Sequence, residues 1–212
     1  MRAVLVANPK GGCGKTTLAV NLAGCLASRG AAVILWDLDR QKSALEWLAL
    51  RSPELPAIHS LAKDDDEPSG KQRGKHEWLI MDSPAGLHGK NLARAIKPVD
   101  KILMPIQPSL FDMAATRDFL AVLHDEHLLR KTRHGHANLV GIVGMRVDPR
   151  TRAASALENF LKQFDFPVLA YLRDTQLYAN AAFQGKSIFD LPNYLNERDV
   201  AEWAPVARWL AR

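Results

Sequence analysis

The segment Lys10–Thr17, with the sequence Lys-Gly-Gly-Cys-Gly-Lys-Thr-Thr, brings glycines, lysines and hydroxyl groups together within eight residues. An apolar run precedes this segment and a helical pattern follows it, which predicts a strand, a tight turn and the start of a helix. The N–H groups of such a turn and the N-terminus of such a helix attract phosphate oxygens. Glycine allows phosphates to come close to those N–H groups. The segment therefore predicts a phosphate-binding loop.

Two side chains of this loop have the chemistry to hold a nucleoside triphosphate. Lys15 is placed to reach the β- and γ-phosphates, and the hydroxyl group of Thr16 is placed to bind Mg²⁺. Pro9 stands where the common spacing has its first glycine, whereas Lys10 adds a second cation at the loop entrance. Two lysines on one loop repel each other unless an anion lies between them, so a turn that binds nothing explains the pattern poorly. The predicted nucleotide-binding residues of the loop are Gly11, Gly12, Cys13, Gly14, Lys15, Thr16 and Thr17.

Acidic side chains end two further apolar runs. Asp37 and Asp39 follow one run, and alternation along a strand places them on the same side. The run Trp78–Asp82 brings one carboxylate to a strand end, the arrangement in which an acid holds Mg²⁺ directly or through water. Ligands of open α/β sheets bind at the carboxyl ends of the strands. Asp82 is therefore a candidate magnesium ligand beside Thr16.

Strand and helix patterns alternate along the chain and predict an α/β fold, a mostly parallel twisted sheet with helices on both faces. We expect one domain over residues 1–212, with a polar, mobile surface loop at 63–75. The predicted strands are 2–7, 32–37, 77–82, 100–106, 139–145 and 167–172. The predicted helices are 15–29, 41–51, 112–128, 151–164, 174–184 and 197–211.

Composition excludes several classes of protein. An apolar content of 47% supports a packed core, and the apolar runs are too short for a membrane span. Cys13 and Cys25 give neither a disulfide framework nor the spacing of a metal site, so we expect buried thiols in a reducing cytoplasm. The first strand begins so early that no signal peptide is expected before it.

The positive charge of the chain permits binding to nucleic acid without requiring it. The net charge is +5, and a basic group lies between residues 130 and 152. A solvated surface explains such a group as well as DNA binding does. The candidate DNA-binding residues are Arg146, Arg150 and Arg152.

The loop resembles the deviant Walker A motif, Lys-Gly-Gly-x-x-Lys-Ser/Thr, of the ParA/MinD superfamily of ATPases. The resemblance implies the P-loop NTPase fold, with ATP and Mg²⁺ as ligands. It also implies an ATP-dependent homodimer, a nucleotide sandwich in which Lys10 reaches the partner's phosphates. The segment from Asp37 to Gln41 resembles the family's Asp-x-Asp-Pro-Gln element, with Arg40 in place of proline. By this match Asp39 positions or deprotonates the attacking water and Asp37 supports the Mg²⁺ shell.

Later segments extend the resemblance to about Phe189. Ser83–Gly86 looks like the second switch loop, in which the Gly86 amide turns toward the γ-phosphate. Met104–Ser109 is similar to the family segment that shapes the nucleotide pocket and the dimer surface. The segment that begins at Arg173 matches one that flanks the adenine, which makes Arg173 a candidate nucleotide contact.

The resemblance is to the small ParA-type partition ATPases that lack an N-terminal helix-turn-helix. It implies a slow ATPase that dimerises on ATP, binds DNA non-specifically and is stimulated by a ParB-like or adaptor protein. Such a protein is expected in the cytoplasm, on the nucleoid when ATP is bound. The cargo is left open among a plasmid, a chromosome locus and a protein assembly.

Three alternatives remain at this point. In a MinD-like switch, residues 199–212 would bind a membrane as an amphipathic helix, but apolar residues recur there at core spacing and make membrane binding the less favoured reading. An electron carrier or a ligase on the same scaffold lacks placed cysteines or an identifiable substrate pocket. A pseudo-ATPase is disfavoured because Lys15, Thr16, Asp39 and Asp82 are all present.

Overall fold

The computed structural model describes residues 1–61, 74–124 and 139–212 and contains one seven-stranded sheet. Every strand pairing within these residues is parallel, and the strand order is β3-β2-β4-β1-β5-β6-β7. The strands are β1 Arg2–Val6, β2 Val33–Asp37, β3 Ile58–Ser60, β4 Trp78–Asp82, β5 Lys101–Ile106, β6 Val140–Gly144 and β7 Val168–Tyr171.

Helices cover both faces of this sheet. One face packs against α3, α4 and α5, and the other packs against α1, α2 and the C-terminal helices α6, α7 and α8. The helices are α1 Lys15–Ala27, α2 Ser43–Ala49, α3 Gly89–Ile96, α4 Leu110–His124, α5 Arg152–Leu161, α6 Leu177–Ala182, α7 Asn193–Glu202 and α8 Ala204–Ala211. A short 3₁₀ helix, Ile188–Asp190, precedes α7.

Burial on both faces explains the strand sequences. The central strands β1 and β4 are almost continuously apolar because each side chain contacts one helical layer or the other. Leu5 and Met81 belong to the core cluster on the α3–α5 side, whereas Val4 and Ile80 belong to the cluster on the α1 side. Because β1, β2 and β4 are parallel, their carboxyl ends meet at one edge of the sheet, where the predicted site residues lie.

The structure confirms the predicted fold class and the six predicted strands, whose ends differ by at most one residue from the prediction. Strand β3 and helix α3 were not predicted. Of the loop predicted at 63–75, residues 63–73 lie outside the described residues, and Gly74 and Lys75 are helical. The basic residues predicted near 130 also lie outside the described part of the chain.

The C-terminal segment forms two helices rather than the one predicted. Pro205 lies in the first turn of α8, a position that suits proline at a helix start, and the chain turns at Trp203. Trp203, Val206 and Leu210 are buried in the core, and Trp203 Nε1 donates a hydrogen bond to Tyr178 Oη at 3.0 Å. The apolar face that a membrane-binding helix would need is therefore used in packing. Among the described residues, the helices are all too short or too polar to cross a bilayer.

Replacement of Trp203 by alanine tests this packing. We expect Trp203→Ala to lower the free energy of unfolding by about 3–5 kcal/mol, because it leaves a large cavity between α7 and α8. Urea denaturation followed by circular dichroism measures the change. The exposed residue Tyr194 provides the control, since Tyr194→Ala is expected to stay within about 0.5 kcal/mol of the parent. Equal stability of the two variants would contradict the packing assigned to the C-terminal helices.

Candidate functional site

The loop between β1 and α1 is held by Asn8, which is fully buried at the end of β1. Asn8 Oδ1 accepts a hydrogen bond from the Lys10 N–H at 2.9 Å. Its amide nitrogen donates to the Pro105 carbonyl at 2.8 Å and to Thr116 Oγ1 at 3.1 Å. The start of the loop is therefore fixed to β5 and α4. Asn8 was not among the predicted site residues, although a lone amide side chain directly after an apolar strand is visible in the sequence.

Two glycines give the loop its shape. Gly12 and Gly14 have φ angles of 76° and 97°, in the left-handed region where other residues are strained. A Cβ atom on Gly14 would also lie 3.0 Å from the Met145 Cε atom. Gly11 and Gly12 are exposed at the tip of the loop, which leaves their backbone open to a ligand. The backbone of the loop therefore has the tight, glycine-dependent turn that the sequence predicts for a phosphate-binding loop.

Lys15 is buried inside this loop. Its ammonium group donates a hydrogen bond to the Lys10 carbonyl at 2.8 Å and lies 3.9 Å from Cys13 Sγ. Cys13 is also buried, and its burial raises the pKa of the thiol. Cys13 thus keeps its proton and contributes its backbone to the loop, as expected for a small buried thiol. The loop encloses a cation that phosphate oxygens can neutralise.

Thr16 and Asp82 meet at the first turn of α1. Thr16 Oγ1 donates a hydrogen bond to Asp82 Oδ2 at 2.7 Å. Asp82 is fully buried, and this desolvation, together with the nearby carboxylates of Asp37 and Asp39, raises its pKa to about 7. Thr16 and the positive charge of Lys15 act in the opposite direction.

The other oxygen of Asp82 supports the predicted magnesium site. Asp82 Oδ1 is buried and has no hydrogen-bond partner among the described residues. A buried, unpaired carboxylate oxygen is costly, and a hydrated divalent cation would supply both positive charge and donors. Hydroxyl and carboxylate oxygens are the ligands that Mg²⁺ prefers. Thr16 and Asp82 therefore fit the metal that the sequence predicts.

Asp37 and Asp39 occupy the loop after β2. Asp37 lies beside Asp82 in the sheet, and its oxygens accept hydrogen bonds from the N–H groups of Asp39 and Ala44, both at 2.9 Å, and of Leu45 at 3.3 Å. These bonds fold the loop and cap the start of α2. A contribution of Asp37 to the Mg²⁺ shell stays a prediction. Asp39 is half-buried, and among the described residues its carboxylate accepts one hydrogen bond, from the Gln41 N–H at 3.0 Å.

The N–H group of Gly86 is bonded within the protein, so its predicted contact with a phosphate stays a prediction. The φ angle of Gly86 is 69°, and its N–H donates a hydrogen bond to the Pro9 carbonyl at 2.8 Å. The amide that was expected to face the γ-phosphate is therefore bonded to the phosphate-binding loop. A contact between the Gly86 N–H and a phosphate requires this bond to break. The position of the loop after β4 therefore depends on which group accepts the Gly86 N–H.

A cavity of about 170 Å³ lies on the other side of the loop, and we call it the base cavity because Arg173, which the resemblance places beside the adenine, lines it. Gln107 closes one side, where its amide nitrogen donates to the Gly12 carbonyl at 2.9 Å. Thr17 contributes to the wall, as the sequence predicts for a nucleotide contact. The other residues that line it include Gly14, Met145, Arg146, Leu172, Arg173, Thr175 and Tyr178.

Arg173 is held by an ion pair that the sequence did not predict. Its guanidinium group makes two hydrogen bonds to Asp199, at 2.8 and 2.7 Å, and the Asp199 side chain is fully buried. The Arg173 N–H also donates to Glu202 at 2.9 Å. Arg173 therefore ties the rim of the base cavity to α7, and a contact between its guanidinium group and a nucleotide stays a prediction.

The three candidate DNA-binding arginines lie on one exposed strip between β6 and α5. Arg146, with a φ angle of 53°, projects at the end of β6, 3.7 Å from Asp174. Arg150 pairs with Asp148 at 2.8 Å, and this contact lowers the pKa of Asp148 to about 2. Arg152 is exposed at the first turn of α5. Arg146 and Arg152 consequently offer more free positive charge than Arg150.

Comparisons with known proteins agree with this geometry. A family model described as the CobQ/CobB/MinD/ParA nucleotide binding domain matches residues 4–188. The chain is 30% identical to the maintenance of carboxysome distribution protein A of Gloeobacter kilaueensis, over 100% of this chain and 94% of that protein. It is 28% identical to the chromosome-partitioning ATPase Soj of Thermus thermophilus, over 76% of each. Its fold is similar to that of apo McdA from Cyanthece, with a TM-score of 0.74, 17% identity, and coverage of 99% of each chain.

The pKa of Asp82 predicts how stability varies with pH. The folded protein holds a proton on Asp82 up to about pH 7, whereas an unfolded aspartate loses it near 3.8, so stability falls as pH rises through this window. We expect Asp82→Asn to remove the part of this decrease in the free energy of unfolding that comes from Asp82. Urea denaturation without metal or nucleotide, at about pH 5 and about pH 8, measures it. The exposed residue Asp118 is the control, and Asp118→Asn should keep the parent's pH dependence. The same pH dependence in Asp82→Asn would contradict the assignment.

Proposed function

The chain belongs to the CobQ/CobB/MinD/ParA family of nucleotide-binding domains, and on that premise we propose that it is a ParA-type ATPase. It dimerises on ATP, binds DNA without sequence preference and positions a cargo with a ParB-like or adaptor protein. The observation that supports this proposal most directly is the meeting of Lys15, Thr16 and Asp82 under the glycine loop.

The residues of one protomer provide most of the chemistry. Lys15 and the N–H groups of the loop hold the β- and γ-phosphates. Thr16 and Asp82 would hold Mg²⁺, which would supply positive charge to neutralise the phosphates. Asp39 orients a water molecule in line with the γ-phosphate, and its half-buried position with a single accepted N–H leaves oxygen lone pairs for this task. Phosphoryl transfer needs such positioning more than covalent help.

Lys10 completes the site from the opposite protomer. It lies at the loop entrance, and its N–H is fixed by Asn8 while its carbonyl accepts the Lys15 ammonium. This arrangement commits the backbone of Lys10 to its own loop, while the residue as a whole is only partly buried. A lysine supplied across the interface adds positive charge where negative charge develops during transfer. Turnover is therefore slow until two protomers face each other, and a partner protein accelerates it.

Dimerisation also governs DNA binding. Each phosphate that a protein neutralises releases condensed counterions, so non-specific affinity rises steeply with the number of contacts. A dimer carries two copies of the strip that contains Arg146 and Arg152. Its affinity for DNA is therefore much higher than that of one protomer. The ATP-bound form accordingly associates with the nucleoid, and hydrolysis releases it.

The names of the relatives indicate two kinds of cargo. One relative is named for the distribution of carboxysomes and another for chromosome partitioning. We propose for this chain the shared task, the movement or spacing of a large assembly or a DNA locus. A membrane-bound switch of the MinD type is less favoured, because Trp203 and Val206 are buried in the core.

Two lysine variants separate nucleotide binding from dimerisation. We expect Lys15→Ala to abolish ATP binding, because the buried cation under the loop is lost. Lys10→Ala should bind ATP as a monomer and should lose ATP-dependent dimerisation and turnover. Fluorescent-nucleotide titration, light scattering after size exclusion and phosphate release measure the three properties.

A remote lysine provides the control for these variants. Lys162 is exposed at the C-terminal end of α5, and Lys162→Ala is expected to match the parent in all three assays. Full turnover by a monomeric Lys10→Ala protein would contradict the proposed dimer.

Salt dependence tests the DNA surface. We expect the protein loaded with ATP to bind duplex DNA at low salt. The slope of log affinity against log salt should become shallower by about two for each of Arg146→Ala and Arg152→Ala, since the dimer loses two contacts. Arg150→Ala should have a smaller effect, because Asp148 already offsets that charge. Fluorescence anisotropy with labelled duplex DNA gives these slopes. An unchanged slope in both variants would show that DNA binds elsewhere.

A further inference from the structure

A cleft of about 610 Å³ lies next to the nucleotide site, on the face of the sheet that α3 covers. We call it the switch cleft, because the loops after β2 and β4 form two of its walls and α3 forms the third. It does not overlap the phosphate-binding loop or the base cavity. The residues that line it are Trp36, Leu38, Asp39, Arg40, Gln41, Met81, Pro84, Ala85, Gly86, Leu87, Asn91, Arg94, Ala95 and Pro98.

The floor of the switch cleft is apolar. Met81, Leu87 and Ala95 are buried members of the core, and Trp36 and Leu38 are partly buried against them. Because the indole of Trp36 and the side chain of Leu38 remain partly accessible, the floor can still bury apolar surface of a ligand. A volume of this size accommodates several side chains of a partner.

The rim of the cleft is positively charged. Arg94 lines the cleft and is exposed on α3. Lys90 on α3 and Lys97, the residue that follows this helix, do not line the cleft, but both are exposed at positions i−4 and i+3 from Arg94, on the same side of the helix. Arg40 is exposed on the opposite wall. Helix α3 contains no acidic residue, and Asp39 is the acidic residue among the described lining residues. A ligand of this cleft therefore needs negative charge next to an apolar anchor.

We propose that the switch cleft is the docking site for an acidic amphipathic segment of a regulatory partner protein. The apolar side chains of that segment contact Trp36 and Leu38, and its carboxylates face Arg40 and Arg94. This inference rests on the proposed function, since a bound segment would regulate ATP hydrolysis through two residues of the proposed site. Asp39 and Gly86 both line the cleft. A segment bound there contacts the loop that orients water and the loop whose Gly86 N–H is held by Pro9.

The features of the cleft disfavour two other occupants. A second copy of this chain in a two-fold contact would bring identical basic rims together. Duplex DNA would use the basic rim through its phosphates, but it would leave the apolar floor without a partner. A peptide with both acidic and apolar side chains matches both surfaces.

A displayed library of random peptides of about 12 residues, selected on the full-length chain, tests the proposal without knowledge of the partner. We expect selected peptides to contain Asp or Glu beside aromatic or aliphatic residues. Their binding is then measured by fluorescence anisotropy. Charge reversal by Arg94→Glu or by Arg40→Glu should weaken binding at least about fivefold.

Lys162→Glu reverses an exposed charge at the far end of α5 and is the matched control, with affinity expected to equal that of the parent. Circular dichroism shows that each variant is folded. Selection of basic or neutral peptides, failure to enrich any peptide, or equal affinity of Arg94→Glu and the parent would overturn the proposal. So would loss of duplex DNA binding in Arg94→Glu without any effect on the peptides, since the rim would then serve nucleic acid.

The proposed function can fail independently of this inference. Peptide binding is measured on nucleotide-free protein, whereas ATP binding is measured by nucleotide titration with Lys15→Ala as the reference. Peptide binding that disappears in Arg94→Glu, in a chain that binds no ATP, would support the docking site and overturn the ATPase.

Discussion

The balance of buried charge around β1 and β4 is the constraint on which the rest of the site depends. Lys15 and Asp82 are both buried at the carboxyl edge of the sheet, yet neither neutralises the other through a direct ion pair of the kind found at Arg173 and Asp199. The ammonium group of Lys15 is bonded to a backbone carbonyl, and one oxygen of Asp82 has no partner within residues 1–61, 74–124 and 139–212. Burial of such groups is costly without a ligand. A nucleoside triphosphate with Mg²⁺ would supply the anion for the lysine and the cation for the aspartate.

The surrounding structure holds the loops at this edge of the sheet in place and connects them to the switch cleft and the base cavity. Asn8 and Gln107 fix the loop to β5, while Asp37 folds the segment that contains Asp39. The bond between Gly86 and Pro9 connects the loop after β4 to the phosphate-binding loop. Binding or loss of a phosphate at the loop would therefore act, through this bond, on the loop after β4 that forms one wall of the switch cleft. On the other side of the loop, the base cavity is tied to α7 by the Arg173 side chain.

Local sequence patterns predicted the parts of the fold that depend on local geometry. The glycine loop, the apolar strands and Asp82 at the end of β4 were all identified, because each follows from residue types within a few positions. Strand β3 was missed because three residues are too few for alternation to be visible, and α3 because its exposed face is rich in lysine and arginine. Contacts between distant residues were not predictable in this way. Asn8 contacts Pro105, 97 residues away, and the Arg173 guanidinium binds Asp199, 26 residues away, in an ion pair that the sequence did not predict.

The central claim is that two copies of this chain hold ATP jointly, each with Lys10 at the other's nucleotide. A crystal structure with Mg²⁺ and a non-hydrolysable ATP analogue measures this directly. The account predicts a two-fold dimer in which the Lys10 ammonium lies within about 3 Å of a phosphate oxygen in the facing protomer. A nucleotide-bound chain in which Lys10 points to solvent, with no second copy against the site, would contradict it.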